Sequence, residues 1–548
     1  MGDDSKRRLA TVAALLVVAT AGSRVLGLIR EIAQAYYLGM GDQMSAFTAA
    51  QKLPNLIRAL LADSALSAAF IPVFSTLLDK GKRREAWQAA YTVSVIVAIV
   101  LGLVSILGVV FAPQVVRFVA PGFRSDMIPL TVSLTRIMFP QVIVLGLAGI
   151  AMGVLNSYDH FSTPAIAPIV WNVIVIAALI VFSSLIGYSA PGGGIKDSGF
   201  QMLAWATFAG TVVQLLIQVP SVWRRRWRGA GDRVGLNFRD PALLQMAAIL
   251  GPVMISLGII NFNALVDTQF ASLLADKAAV AYIDKAFRLF QLPQGVFAIA
   301  IGTVLFPAFS RHAAANRMKE LRDDLSVGLR QIFFATLPFA AFFAVLALPT
   351  VRLIYEHGKV TSGEAEMVAV ALEFFSIGMA FVGVNTLLNR AFYSIRKSWL
   401  PLIVGVVNLA LNAALDFAFY KPLGVGGITL STSLVSFLNF FALMLLLRPR
   451  IGGVDARRVG WTAARSIVAL VPLSVVAYTS WWGLDKVLGR SLWAQIVSLG
   501  FAYLAGTAAY CLAAWALRMP ELRDILGLIR RRREPRQTEA VIDSEPQG

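Results

Sequence analysis

The chain has 548 residues, 57% of them hydrophobic and 15% charged, with a mean hydropathy of +0.70, a composition that excludes a soluble globular protein. One cysteine, Cys511, excludes an internal disulfide and any cysteine-based metal centre, and the three histidines, His160, His312 and His357, lie too far apart in sequence to suggest metal chemistry. The net charge of +18 would suggest nucleic acid in a soluble protein; in a polytopic membrane protein what matters is where the charges fall relative to the spans, and no nucleic acid is expected as a partner.

In chain order, MGDDSKRR runs directly into Leu9–Val18 with no small-residue cleavage site, so no removable signal peptide is expected. At about 20 residues per span, apolar segments fall at 9–38, 44–78, 86–112, 127–155, 163–187, 199–222, 241–275, 279–310, 324–349, 363–389, 398–420, 425–447, 460–483 and 491–517. These fourteen predict an all-α polytopic membrane protein with both termini on one face. The loops on that face carry 31 of the 49 Lys and Arg and the opposite loops 9, which places both termini in the cytoplasm.

The longest loop, the basic stretch Trp223–Asp240, reads as a solvated cytoplasmic linker, with headgroup binding as a second possibility. It separates an N-terminal lobe, 1–222, from a C-terminal lobe, 241–448, of six spans each. A repeat supports the division. The second span holds LPN at Leu53–Asn55 and FIPVFS at Phe70–Ser75, and the eighth holds LPQ at Leu292–Gln294 and LFPAFS at Leu305–Ser310, with proline spacings of 18 and 14. Lobes repeated in the same orientation predict a parallel pair related by an axis along the membrane normal, with a site between them. The last two spans, within 449–517, lie outside the repeat. The segment 518–548, with Arg530–Arg533, reads as a disordered cytoplasmic tail near anionic lipid.

Nine basic residues sit within spans: Arg24, Arg30, Lys52, Arg58, Arg136, Lys285, Arg288, Arg330 and Arg465. Each costs roughly 2.5–3.5 kcal/mol at a helix centre, so the first four, crowded into the stretch Ser23–Phe74, demand an explanation. A water-filled cationic cavity supplies one; snorkelling to the headgroups suits Lys52 but not Arg24. Guanidinium forks match phosphate oxygens, so a cavity lined by arginines from both lobes points to a phosphate-bearing ligand. Internal pairing is the competing reading. Asp284 and Arg288 share a helix face, Glu31 points away from Arg30, and Arg58 needs a bend to meet Asp63. The acids in these spans are too few to neutralise the bases, but full pairing would make the cluster structural.

A second polar set is acidic. Asn263 and Asp267 share a face of the seventh span, Asn412 and Asp416 a face of the eleventh, and Ser431, Thr432 and Ser433 follow in the twelfth. Their oxygens suit Na⁺ or a carried proton, and equally suit hydrogen bonds between helices. No nucleotide-binding glycine loop and no His-Glu motif is present, so an enzyme is not expected.

The segments SRVLGLIRE (Ser23–Glu31), KLPNLIR (Lys52–Arg58), AFIPVFS (Ala69–Ser75), LTRIMFP (Leu134–Pro140), GVLNSYDHFSTPAIAP (Gly153–Pro168), FRLFQLPQGVFAIAIGTVLFPAFSR (Phe287–Arg311) and NRAFYSIRKSWLP (Asn389–Pro401) together resemble the lipid II flippase family, MurJ or MviN. The resemblance runs from about residue 9 to 450 in order; the last two spans agree in number only. It implies a fourteen-helix fold of the multidrug/oligosaccharidyl-lipid/polysaccharide exporter superfamily. It also implies a bacterial plasma-membrane transporter that moves lipid II, the undecaprenyl-diphosphate-linked peptidoglycan precursor, from inner to outer leaflet by alternating access for cell-wall synthesis. Arg24, Arg30 and Arg288 then fall on the family's cavity arginines, and Arg58 on its KLPNL motif, as diphosphate ligands. Glu31, Asp42, Asp63 and Asp284 become pairing or gating acids. Asp267, Asn412, Asp416 and Thr432 match a Na⁺ site, and 449–517 a groove for the prenyl tail.

The resemblance implies no cofactor beyond a coupling Na⁺ or proton and the membrane potential, and a functional monomer among anionic lipids and cell-wall synthesis enzymes. Three departures stand out. Ser45-Ala46-Phe47 replaces the family's Asp-Ala-Phe, with Asp42 able to substitute only if the helix starts sooner; Phe287 replaces an Asp; and Asp63 replaces a Glu. The first two keep open a transport-inactive membrane scaffold for wall-synthesis enzymes, and a cationic site that reads phosphate and not sugar keeps open a flippase for another prenyl-diphosphate-linked glycan.

Overall fold

The computed structural model describes residues 3–60, 65–181, 197–229 and 235–523, and among them the regular secondary structure is helical with no strand. That is what an apolar solvent selects: a helix satisfies its backbone polar groups within one segment. The elements are α1 Asp3–Leu38, α2 Asp42–Arg58, α3 Ala65–Asp79, α4 Arg83–Val110, α5 Ala112–Val119, α6 Met127–Met138, α7 Gln141–Ser157, α8 Ser162–Val181, α9 Asp197–Gly229, α10 Pro241–Leu273, α11 Ala279–Ala314, α12 Met318–Val345, α13 Ala347–Tyr355, α14 Ser362–Ser394, α15 Trp399–Ile451, α16 Ala456–Leu488 and α17 Leu492–Ala516. Among the described residues nine helices are long and apolar enough to cross a membrane, ten when the bent α11 is counted as one span. The protein is therefore a multi-pass membrane protein.

Two details add to the sequence reading. The segment expected at 127–155 is one span, Met127–Ser157, in which Phe139 and Pro140 keep helical φ/ψ between α6 and α7. The short helices α5 and α13 were not expected; both are too short for a periodic signal to stand out. The segments expected at 398–420 and 425–447 are two helices that follow one another within the 53-residue α15. A straight helix of that length would be about 80 Å long, far more than a hydrocarbon core of about 30 Å. The break is at Gly424, whose φ of 57° and ψ of −131° are open to glycine alone. Beyond it Gly427 lies so close to Phe419 that a Cβ there would be 2.2 Å from the Phe419 carbonyl oxygen.

Two compact units are present. The first, Met1–Leu289, Ile354–Ala371 and Gly405–Thr432, has one buried cluster around Leu38, Phe47, Leu134, Met138, Phe200 and Leu203 and another around Phe70, Phe74, Trp87 and Ile150. The second, Phe290–Leu353, Leu372–Val404 and Ser433–Gly548, packs Leu325, Leu329, Leu387 and Phe392 in one cluster and Phe342, Leu473, Ala502 and Tyr510 in another. Exposed Leu, Ile and Val line the outer faces of α4 and α16, as lipid-facing helices require. On α17 the exposed Trp493 and Trp515 are 22 residues apart, about 33 Å along a helix, which sets two aromatic anchors one hydrocarbon thickness apart.

Candidate functional site

The first unit contains a charged network built by four helices. α1 supplies Arg30, Glu31 and Gln34; α2 supplies Lys52; α8 supplies Trp171; α11 supplies Asp284, Lys285 and Arg288. Glu31 is its hub and is only 5% exposed. Arg30 donates to it through Nη2, and Lys285, 2% exposed, donates from Nζ to Oε2 at 2.5 Å. Lys285 also reaches Gln34 Oε1 at 3.4 Å, and Arg288 Nε lies 3.8 Å from Glu31 Oε1. The second acid, Asp284, stands 3.5 Å from Arg288 Nε and 3.4 Å from Lys52 Nζ. The Arg30 guanidinium lies over the Trp171 ring, 4.5 Å from its centroid, a cation–π contact.

The Arg30–Glu31 pair corrects the sequence reading. Neighbours on a helix diverge by about 100°, but the long arginine side chain turns back far enough to reach the carboxylate. Asp284 and Arg288 meet as their i,i+4 spacing predicts.

The first turn of α11 is held by a neighbour. Its Ala281 N–H, one of the donors a helix start leaves without an intrahelical partner, is shared between the Ala278 carbonyl at 2.9 Å and the buried Ser45 Oγ of α2 at 3.0 Å. α2 itself begins at Asp42, and so meets the condition on which Asp42 could stand in for the family acid. Asp42 nevertheless faces away from this network, accepting from Arg124 Nη2 at 2.6 Å. Arg124 also hydrogen-bonds Asp126 and thereby holds that carboxyl below the ordinary carboxylate range.

Within the network, four cations (Arg30, Lys52, Lys285, Arg288) stand against two carboxylates (Glu31, Asp284), a surplus of two positive charges. Among the described residues the buried Nε of Arg30 makes no hydrogen bond, and that of Arg288 meets Asp284 and Glu31 only at ion-pair distances, outside hydrogen-bond geometry. The arrangement is thus short of acceptors, the complement of an anion. Arg24 is exposed on α1, seven residues before Glu31 and on the same face. Arg58 is the last residue of α2 and half-buried. Asp63 lies outside the described residues.

The acidic set also converges. Asn412 Nδ2 donates to Asp267 Oδ1 at 2.7 Å and to Asp416 Oδ2 at 3.0 Å, and Thr432 Oγ1 donates to Asp267 Oδ2 at 3.4 Å. Asn412 and Asp416 are fully buried. Interhelical hydrogen bonding therefore exists here, joining α10 to α15, but it does not use every oxygen: among the described residues Asn412 Oδ1, Asp416 Oδ1 and, one turn before Asp267 on α10, Asn263 Oδ1 are buried acceptors without a donor. Hard oxygen ligands with unmet acceptor capacity fit Na⁺ or a proton. No three His, Cys, Asp or Glu side chains group around a metal-sized site among the described residues, so amide and hydroxyl oxygens would complete the set.

The profile of the family described as lipid II flippase MurJ matches residues 34–499. The chain belongs to the lipid II flippase MurJ family. It is 32% identical over 471 residues to the lipid II flippase MurJ of Burkholderia cenocepacia, covering 84% of this chain and 88% of that one. It is 30% identical over 539 residues to a probable lipid II flippase MurJ of Rhizobium tropici, covering 96% and 97%. Among solved structures it is similar to a lipid II flippase MurJ in an inward closed conformation, with a TM-score of 0.74 at 20% identity over 94% of this chain and 100% of that one. An inward-facing multidrug resistance MATE transporter of the MOP superfamily shares the fold with a TM-score of 0.63 at 14% identity over 80% of this chain and 98% of that one.

Three participants escaped the sequence reading as site residues: Lys285, Trp171 and Gln34. Lys285 carried a signal, an intramembrane lysine between Asp284 and Arg288; Trp171 and Gln34 carried none, because a lone ring or amide in an apolar span is ordinary.

Proposed function

We propose that the protein is a transporter that flips lipid II from the inner to the outer leaflet of the bacterial plasma membrane by alternating access, supplying cell-wall synthesis. The observation that carries the reading to particular residues is the surplus of cations over carboxylates around Glu31, with buried arginine Nε groups that make no hydrogen bond among the described residues. In this reading Arg24, Arg30, Arg58 and Arg288 bind the diphosphate, and Lys285 joins them. Glu31 and Asp284 hold those cations in the absence of substrate, while Asp42 pairs at the far end of α2.

Fourteen spans, as two parallel lobes (1–222 and 241–448) joined by the linker 223–240, would place both termini in the cytoplasm. The helices α16 and α17, within 449–517, would form the prenyl-tail groove, and 518–548 the cytoplasmic tail near anionic lipid. Asp267, Asn412, Asp416 and Thr432 would take a coupling Na⁺ or proton. The surplus charge also couples the site to the membrane potential, at about 2.3 kcal/mol per charge per 100 mV.

The test is complementation of a strain depleted of its own lipid II flippase by this chain and by its Arg24→Ala variant. Rescue by the native chain and failure of an equally expressed variant supports flipping through the cationic site. Failure of the native chain despite membrane expression overturns lipid II as the substrate, and rescue by both removes Arg24 from the site.

A further inference from the structure

One buried group beside the charged network makes no bond. Tyr355, the last residue of α13, is 1% exposed, and its hydroxyl has no hydrogen-bond partner among the described residues. Its environment is the network itself: Tyr355 interacts electrostatically with Glu31, Arg288, Asp284 and Arg30.

Backbone contacts fix it there. The connection after α13 is pressed onto the C-terminal end of α1, where Lys359 N–H donates to the Tyr36 carbonyl at 3.0 Å. Gly358, at φ +65°, lies so close that a Cβ would be 2.3 Å from the same oxygen. Tyr36 is five residues past Glu31, about 7.5 Å along the helix. The approach that demands glycine at 358 thus anchors the chain three residues beyond Tyr355, beside the network.

A buried hydroxyl without a partner is a cost that phenylalanine, of the same shape, would avoid. Among the described residues three donors share the network without a hydrogen bond: the Tyr355 hydroxyl, the Nε of Arg30, and the Nε of Arg288, which has carboxylates at ion-pair distance but not in hydrogen-bond geometry. A ligand able to use all three presents several acceptor oxygens and no competing donors at that point, which is the chemistry of a phosphate chain.

We infer that Tyr355 is a substrate-binding residue whose hydroxyl donates to a phosphate oxygen of the lipid diphosphate held by Arg30 and Arg288. This rests on the network being the diphosphate site. A neutral hydroxyl adds a short, directional contact where the guanidinium groups supply charge, and so fixes the orientation of the diphosphate.

The experiment compares purified native protein, Tyr355→Phe and Arg288→Ala, measuring the binding of farnesyl diphosphate and the thermal midpoint without ligand. Tyr355→Phe is expected to weaken binding about tenfold, the loss of one hydrogen bond to a charged acceptor, with a midpoint equal to or above the native one. Native affinity in Tyr355→Phe alongside weakened binding in Arg288→Ala overturns the assignment of Tyr355 and leaves the site standing. A lowered midpoint in Tyr355→Phe also overturns it, by giving the hydroxyl a structural role. Unchanged binding in Arg288→Ala overturns the diphosphate site itself.

Discussion

The two polar clusters of the first unit leave opposite groups unsatisfied. Around Glu31 the unused groups are donors, on Arg30, Arg288 and Tyr355; around Asp416 they are acceptors, on Asn263, Asn412 and Asp416. Both sit among apolar helices, where an unpaired polar group is costly. A helix bundle that needed only adhesion would satisfy both clusters internally, as α10 and α15 partly do through Asn412. The difference teaches how to read intramembrane polarity: the count of polar residues says little, whereas the sign of the unmet bonding capacity names the ligand. One cluster is complementary to an anion and the other to a cation or proton.

Three substitutions break or sharpen that contrast. The largest effect is expected from Glu31→Gln, which leaves Lys285 buried without its counter-ion. Removing one partner of a buried pair costs about 3–5 kcal/mol, so thermal unfolding in detergent should begin well below the native midpoint. The double variant Glu31→Gln, Lys285→Met should recover most of the loss, and a double variant as unstable as the single one would remove Lys285 as the reason.

Next in size is the response to sodium. A cation bound only by the folded protein stabilises it by about 2.7 kcal/mol at a hundred times its Kd. The native midpoint should therefore rise when choline chloride is replaced by sodium chloride at equal ionic strength, and the rise should vanish in Asp416→Asn while persisting in Arg288→Ala. A sodium response surviving in Asp416→Asn would take the cation elsewhere.

The smallest effect belongs to Ser45→Ala, which removes one of the two acceptors of the Ala281 N–H in the first turn of α11 at no more than about 1 kcal/mol, the cost of a lost helix cap. Because α11 carries Asp284, Lys285 and Arg288, farnesyl diphosphate affinity should fall slightly with stability. An unchanged midpoint would show that the Ala278 carbonyl, which the Ala281 N–H already reaches at 2.9 Å, satisfies it alone.

Much of this was legible in the sequence, for identifiable reasons. The apolar segments stand out because a membrane demands about 20 residues of one character, and Asp284–Arg288 because i,i+4 neighbours on a helix meet. Asn263, Asp267, Asn412 and Asp416 were visible as polar pairs in apolar spans, although nothing in their spacing said that α10 and α15 bring them together. What stayed hidden depends on packing between distant segments. Lys285 reaches Glu31 across 254 positions. The role of Tyr355 depends on a loop docking against Tyr36. The Arg30–Glu31 contact was misjudged because backbone periodicity fixes where a side chain starts and leaves its flexible end free.

Ser45 has one more consequence. It joins α2 to α11 through a hydroxyl and a backbone N–H, a bond that carries no net charge. Where the related pattern has an acid, the same joint would weaken in salt and loosen on protonation. Here its strength is indifferent to both. Acid or salt sensitivity then falls to the buried carboxylates, Glu31 and Asp284 in one cluster and Asp267 and Asp416 in the other, and a Ser45→Asp variant would add a further, titratable latch whose release is set by the pH of the medium.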